Sequence, residues 1–187
     1  SKTNESGRNN FYFTTNSQGV QPNITNGYAA QSAPSAMITY QENLLILAEA
    51  GYRANGFDTG LAHLNNFRAY MNAGGYLTNA NASNILYDAY STADFVAGGI
   101  ENTDSINTED ALLREILEER YITLFGQVEV FNDTRRTENE TVVRVPVLPN
   151  VGALLPQRFI YPQSEIDRNN NAPNPIPDFF DKTPINK

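Results

Sequence analysis

The sequence predicts a mostly α-helical protein with tetratricopeptide-like helical hairpins, long irregular loops and a proline-rich extended C-terminal segment. Apolar residues recur at helical spacing in four stretches, and glycine or asparagine follows several of them. Eight prolines fall between positions 146 and 184, too many for a long helix. We divide the chain into a polar, loop-rich segment of the same domain (1–34), a helical core of two helix pairs (35–136) and an extended, wrapping segment (137–187).

The composition argues against several classes of partner and chemistry. The chain has 187 residues and a net charge of −8, whereas binding to nucleic-acid phosphates needs clustered Lys and Arg. The absence of cysteine excludes a disulfide scaffold, a thiolate metal site and a cysteine nucleophile. Charged residues make up only 18%, while Asn, Tyr and Phe are plentiful. This balance favours neutral polar ligands.

Targeting signals are missing from this stretch of sequence. It contains neither a signal peptide nor an apolar run long enough to span a membrane. These observations fit an intracellular protein or a piece of a longer one. Because the sequence opens within a polar tract, we expect the second.

The first two predicted helices form an antiparallel αα-hairpin. The first spans about 35–54 and stops before Gly56, and the second spans 58–73 with Asp58 as its cap. So short a connection requires antiparallel packing, and small residues such as Gly51 allow close approach. The side chains expected on the buried faces are Met37, Tyr40, Leu44, Leu47, Leu61, Leu64, Phe67 and Met71.

A second pair of helices is predicted farther along the chain. One spans 83–97 and stops at two glycines, and a polar loop follows over 100–107. Thr108 caps the other, which reaches about residue 126. The two pairs suggest tetratricopeptide architecture, although no clean 34-residue repeat is visible. The side chains expected to be buried are Ile85, Leu86, Ala89, Ala93 and Val96 in the first helix and Leu113, Ile116, Leu117, Tyr121, Leu124 and Phe125 in the second.

Three blocks of sequence stand out by their content and order. Residues 38–50 read ITYQENLLILAEA, and residues 64–68 read LNNFR. Residues 124–137 read LFGQVEVFNDTRRT, and residues 156–165 read PQRFIYPQSE, with three asparagines at 169–171. In this order the blocks resemble the C-terminal portion of the SusD/RagB family of nutrient-binding outer-membrane lipoproteins. Gln127-Val128 stand where SusD and its nearer relatives carry a Glu-Gly pair, which points to the SusD-like branch.

The resemblance carries several expectations. It implies a helical protein built on tetratricopeptide-like helix pairs, without catalytic activity and without a cofactor. It also implies a surface-exposed lipoprotein of the outer membrane that lies over a SusC-like TonB-dependent transporter. The ligand would be an oligosaccharide or similar nutrient held by loops, and the lipid anchor and first helical repeats would lie outside this chain.

A group of charged residues follows the fourth predicted helix. Glu129 and Asp133 are at i, i+4 spacing and Asp133 and Arg136 at i, i+3 spacing, so the three share a helix face. One interpretation is a catalytic carboxylate pair for glycoside hydrolysis. However, neighbouring arginines keep carboxylates ionised, whereas a general acid must carry a proton. We therefore interpret Arg120, Glu129, Asp133 and Arg136 as a structural ion network.

Two further polar residues receive structural interpretations. Glu49 and Arg68 are predicted to pair across the first hairpin. His63 is the only histidine, which leaves no partners for a catalytic triad or a metal site. We predict no catalytic residue, no metal and no cofactor.

The aromatic residues over 74–107 are the predicted ligand contacts. Sugars stack on aromatic rings while amides and carboxylates bind their hydroxyls. The four candidate rings, which lie near asparagines, are Tyr76, Tyr87, Tyr90 and Phe95. The alternative is that the third helix buries these rings. A second function is then open, a helical-repeat protein–protein interaction module without a small-molecule ligand.

Overall fold

The computed structural model is mostly α-helical. It describes residues 1–183 except positions 79, 146, 150 and 151, so Pro146 and Pro184 of the predicted proline-rich segment lie outside the described residues. Within the described residues there are six α-helices and two small antiparallel sheets of two strands each. The chain forms two compact units, Ser1–Gln127 and Val128–Lys187.

The first unit begins with short elements and continues with three long helices. The N-terminal elements are β1 (Thr3–Asn4), α1 (Ser6–Tyr12), β2 (Phe13–Asn16) and β3 (Gly19–Pro22). They are followed by α2 (Tyr40–Asn55), α3 (Phe57–Asn72), β4 (Leu86–Tyr87), a 3-10 turn (Thr92–Asp94) and α4 (Thr108–Thr123). Strand β1 pairs with β4 with Thr3 opposite Tyr87, and β2 pairs with β3 with Phe13 opposite Pro22.

The predicted αα-hairpin is confirmed by α2 and α3. Its first helix begins later than expected, because the Thr39 side chain accepts a hydrogen bond of 3.2 Å from the backbone N–H of Glu42 and caps the helix there. Met37 therefore lies outside the helix and is exposed, and Tyr40 is exposed in the first turn. The cap of α3 is Gly56, with φ +86°, rather than Asp58.

Two glycines set the close approach of α2 and α3. A β-carbon at Gly60 would lie 2.6 Å from Cβ of Tyr52, and one at Gly51 would lie 2.8 Å from Cδ2 of His63. Neither distance leaves room for a side chain. The prediction that small residues allow the two helices to come close is confirmed at Gly51.

The predicted helix over 83–97 is wrong. This stretch contains β4 and the 3-10 turn instead. The Asn65 side chain accepts from the N–H of Tyr90 at 2.8 Å and donates to its carbonyl at 2.9 Å. Arg68 Nε donates to the carbonyl of Asp88 at 2.7 Å. Side chains of α3 thus satisfy backbone groups that a helix would pair internally, so the second predicted hairpin does not form.

Helix α4 agrees closely with its prediction. Asn107 caps it in place of Thr108, since the Asn107 side chain accepts from the N–H of Glu109 at 3.0 Å. The chain leaves the helix at Leu124, and Gly126 has φ +82°. The predicted side chains Leu113, Ile116, Leu117 and Leu124 are buried, whereas Tyr121 and Phe125 are half-buried.

The apolar core of the first unit lies among α2, α3, α4 and the segment between α3 and α4. Leu47 and Val96, predicted to be buried, are exposed at its edge. A cluster of aromatic rings anchors the N-terminal segment. The centroid of the Phe125 ring lies 5.4, 5.5 and 5.6 Å from the ring centroids of Tyr12, Phe13 and Tyr28. The buried core residues are Leu44, Leu45, Ala48, Leu64, Phe67, Met71, Leu77, Tyr87, Tyr90, Phe95, Ala111, Leu112 and Ile116.

The second unit has little regular structure. It contains α5 (Val128–Thr137) and α6 (Gln163–Arg168). The latter lies within the segment predicted to be extended, so that prediction is wrong over its six residues, which directly follow Pro162. The wrapping of the helices by this segment stays a prediction.

Candidate functional site

Three of the four rings predicted to contact a ligand lie in the core. The exposed fractions of Tyr87, Tyr90 and Phe95 are 2%, 6% and 0%, and Tyr76 is half-buried. Tyr90 and Phe95 pack edge to face with ring centroids 5.3 Å apart. A buried ring has no free face on which a sugar can stack, so we place the candidate site elsewhere.

The predicted pair of Glu49 and Arg68 is wrong. Arg68 is completely buried and its Cζ lies 3.6 Å above the ring of Tyr90. Its Nη2 donates to the carbonyl of Lys2 at 3.0 Å, so Arg68 joins the N-terminal strand to the core. Glu49 instead forms an ion pair of 2.8 Å with Arg53.

The residues predicted as one ion network are seen in two places. Arg120 is buried in the first unit, with Nε 3.8 Å from a Glu49 carboxylate oxygen. On α5, Arg136 Nε donates to Asp133 at 2.8 Å, as the spacing predicted. Glu129 lies in the first turn of α5. The link between Arg120 and the α5 residues stays a prediction.

A buried arginine near the N-terminus was missed by sequence reasoning. Arg8 on α1 is 1% exposed and pairs with Glu119 on α4 at 2.8 Å. It also donates to Thr123 Oγ1 at 2.8 Å and to Tyr76 Oη at 3.2 Å. Burial opposes the charge of Arg8, but Glu119 and the nearby tyrosines outweigh burial and raise the pKa of Arg8. The only sequence signal for this buried pair was the position of Glu119 among the apolar residues of α4.

An open cleft lies within the second unit. It has a volume of about 670 Å³ and opens broadly to the surface. Phe159 and Ile160 are each 69% exposed in it. The lining residues are Arg158, Phe159, Ile160, Tyr161, Pro162, Glu165, Pro173, Pro177 and Thr183. We call this feature the aromatic cleft.

Two stretches of chain are tied together to form the aromatic cleft. The N–H of Gln157 donates to the carbonyl of Phe179 at 3.0 Å, and Arg158 Nε donates to the carbonyl of Asp181 at 3.0 Å. Gln157 is itself buried and donates to Glu138 at 2.9 Å. These bonds fix the backbone on which the Phe159 ring is carried.

An aromatic ring behind the cleft supports Phe159. Phe131 of α5 lies 5.0 Å from Phe159 between ring centroids, and Arg135 Cζ lies 5.0 Å above the Phe131 ring. Phe159 therefore packs against the Phe131 ring and still leaves most of its surface to solvent. The site combines apolar ring faces with one cation, Arg158, and one carboxylate, Glu165, which suits binding by stacking and hydrogen bonding.

The signal for this cleft was visible in the sequence. Residues 158–162 read RFIYP, an aromatic-rich stretch just before α6, and they belong to the third block. The predicted ligand contacts rested instead on the density of aromatic residues over 74–107. Spacing alone cannot distinguish a ring held in a core from one held at a surface.

Comparison with protein-family models, curated proteins and solved structures found no match to this chain. Among the described residues, no group of three or more His, Cys, Asp or Glu side chains is arranged to hold a metal ion. Within the same part of the chain, no helix has the length and apolar character needed to cross a membrane.

Proposed function

We propose that this chain belongs to a SusD-like, cell-surface lipoprotein that binds an oligosaccharide or similar nutrient and catalyses no reaction on it. It would deliver this ligand to a SusC-like TonB-dependent transporter in the outer membrane. The observation that carries the proposal is the aromatic cleft. Six of its lining residues come from the block 156–165 that resembles the closing block of the family.

The chemistry of the aromatic cleft supports a sugar ligand. A sugar ring buries its apolar face on an aromatic ring, and its hydroxyls bind side chains at the rim. Phe159 and Tyr161 supply rings, whereas Arg158 and Glu165 supply a donor and an acceptor. The volume of about 670 Å³ lies in the range of small-molecule sites. The α2–α3 hairpin is compatible with the helix pairs that the resemblance implies.

A glycan-binding screen on the full-length protein tests this proposal. Calorimetry on the best glycan should then show that Phe159→Ala and Tyr161→Ala each weaken binding about tenfold, a loss of about 1.4 kcal/mol. Phe180→Ala is the matched control, because Phe180 is an exposed aromatic of the same unit outside the lining. Binding that survives in Phe159→Ala, or a screen without any bound glycan, contradicts the proposal.

A second candidate function is favoured by a different surface. Met37 and Ile38 are 88% and 87% exposed just before α2, and Ile46 and Leu47 are exposed along it. Together with the burial of the rings over 74–107, this exposed apolar surface favours a protein–protein interaction module. Ile38→Ser should then abolish binding of a protein partner, and Phe159→Ala should have no effect on it. Loss of glycan binding in Phe159→Ala together with unchanged glycan binding in Ile38→Ser supports the nutrient-binding proposal instead.

A further inference from the structure

A small acidic cleft lies in the first unit. Its lining differs in chemistry from that of the aromatic cleft. The acidic cleft has a volume of about 220 Å³ and lies beside α4. Five glutamates line it together with Tyr90, namely Glu5, Glu101, Glu115, Glu118 and Glu119. Five carboxylates in so small a space repel one another unless protons or cations compensate.

Two of these carboxyl groups, those of Glu101 and Glu115, contact the same hydroxyl of Tyr90. The Tyr90 hydroxyl lies 2.7 Å from Oε1 of Glu101 and 3.2 Å from Oε1 of Glu115. A phenol carries one hydrogen, and the shorter contact, to Glu101, takes the larger share of it. A shared hydrogen leaves only a weak bond to Glu115. The contact to Glu115 becomes a full hydrogen bond when Glu115 supplies a proton to the phenol oxygen.

The burial of the two carboxyl groups identifies the protonated one. Glu115 is 8% exposed, whereas Glu101 is half-buried in the loop after the 3-10 turn. A buried carboxylate without an adequate counter-charge is costly, so the proton stays on the more buried group. Burial raises the pKa of Glu115, and the charges of Glu119, Glu101 and Glu118 raise it further, whereas Arg68 lowers it.

We infer that Glu115 keeps its proton at neutral pH and donates it to Tyr90, which donates to Glu101. The three side chains form a proton-linked latch that joins α4 to residues 90–101. Loss of the Glu115 proton at alkaline pH leaves two charged carboxylates facing one hydroxyl hydrogen. This inference does not depend on the proposed nutrient binding.

The charged groups around the latch act on Glu115 in opposite directions. Arg68 of α3 hydrogen-bonds only neutral groups, the carbonyls of Asp88 and Lys2 and Thr3 Oγ1, so its positive charge favours the ionised form of Glu115. Burial and the carboxylates of Glu119, Glu101 and Glu118 outweigh this attraction and raise the pKa of Glu115. Glu119 is already paired with Arg8. The remaining charged neighbours are Glu5 before α1 and Arg114 and Glu118 on α4, of which Arg114 pairs with Asp104.

Infrared spectroscopy of the whole chain tests the latch directly. The wild type should show the carbonyl band of a protonated carboxylic acid at neutral pH, and Glu115→Gln should lack it. Glu118→Gln is the matched control, because it removes a carboxylate of the same cleft but leaves the chain of hydrogen bonds. This variant should keep the band. A wild type without the band, or a band that persists in Glu115→Gln, overturns the inference.

Denaturation as a function of pH gives a second measurement. The folded state binds the Glu115 proton more tightly than the unfolded state, where the usual pKa is 4.5. Stability from this group is therefore fully present below about pH 4.5 and declines as pH rises through the folded pKa. The unfolding constant of the wild type relative to Glu115→Gln should rise up to about tenfold per pH unit. A constant ratio across neutral pH overturns the latch, and if Glu115→Gln does not fold, the wild-type infrared titration decides.

Discussion

The two units of this protein use apolar side chains in opposite ways. In Ser1–Gln127 they form a closed core, with Phe67 and Leu45 completely buried. In Val128–Lys187 the buried apolar side chains among the described residues are Val143 and Val145, while large ones such as Phe159 lie at the surface. The first unit therefore gains its stability from packing. The second exposes the same residue types, which is what a binding surface requires.

Charged residues show the same contrast. The Arg8–Glu119 pair of the first unit is almost completely buried, whereas the Asp133–Arg136 pair of the second unit has an arginine that is 37% exposed. A buried pair is strongly destabilising when one partner is removed, while an exposed pair contributes little. Substitutions matched across the two environments can break or sharpen this comparison.

The largest effect is expected from core truncation. Phe67→Ala should lower the free energy of unfolding by about 3–5 kcal/mol, because it leaves a cavity in the first unit. Phe159→Ala removes the same atoms from an exposed position and should cost less than about 0.5 kcal/mol. Urea denaturation followed by circular dichroism measures both. Equal losses in the two variants would end the contrast between the units.

A comparable loss is expected at the buried ion pair. Arg8→Ala should cost about 3–5 kcal/mol, because Glu119 is left buried without its partner. The control is Arg53→Ala, since the Arg53 side chain is 40% exposed and its loss should cost less than about 1 kcal/mol. The same denaturation experiment applies. A small effect at Arg8 would show that solvent reaches the Glu119 carboxylate.

A smaller effect is expected at the contact between α2 and α3. Gly60→Ala places a β-carbon 2.6 Å from Cβ of Tyr52, so the helices must separate and stability should fall by about 1–3 kcal/mol. Asn66→Ala, at an exposed position of α3, should change stability by less than about 0.5 kcal/mol. Thermal denaturation compares the two. A stabilised Gly60→Ala would mean that the hairpin adapts without strain.

The smallest effect concerns a single carboxyl group. Burial opposes ionisation of Asp94, but hydrogen bonds from Lys2 and Ser91 outweigh it and lower the pKa of Asp94 below 3.8. This group stabilises the fold above about pH 3.8, and its contribution is lost as pH falls through the lowered pKa. Lys2→Ala should raise the pKa of Asp94, as an NMR titration can measure. Asp104, whose pKa is lowered by Arg114, should titrate unchanged.

Local signals were sufficient for the three long helices. The apolar spacing of α2, α3 and α4 and the glycines at their ends predicted each of them to within a few residues, except for the start of α2. The predicted start of α2 was wrong because Thr39, and not the earlier Pro34-Ser35 pair, caps the helix. A cap depends on one side-chain hydrogen bond, which composition does not reveal.

The stretch 83–97 shows where local reasoning fails. Its apolar residues suit a helix, yet Asn65 and Arg68 of α3 hold its backbone in another form. The same backbone turns Tyr87 and Tyr90 inward, so these two predicted contact rings are buried. Contacts between residues distant in the chain decided both outcomes.

By itself the sequence determined the helical class, the close α2–α3 hairpin and the Asp133–Arg136 pair, because each depends on residues near one another along the chain. Only the tertiary structure decided that Arg8 is buried, that the rings over 74–107 pack inside and that Phe159 lies in an open cleft. The physical reason is that burial is a property of the surroundings. A residue's neighbours in space determine whether its ring, charge or proton meets solvent.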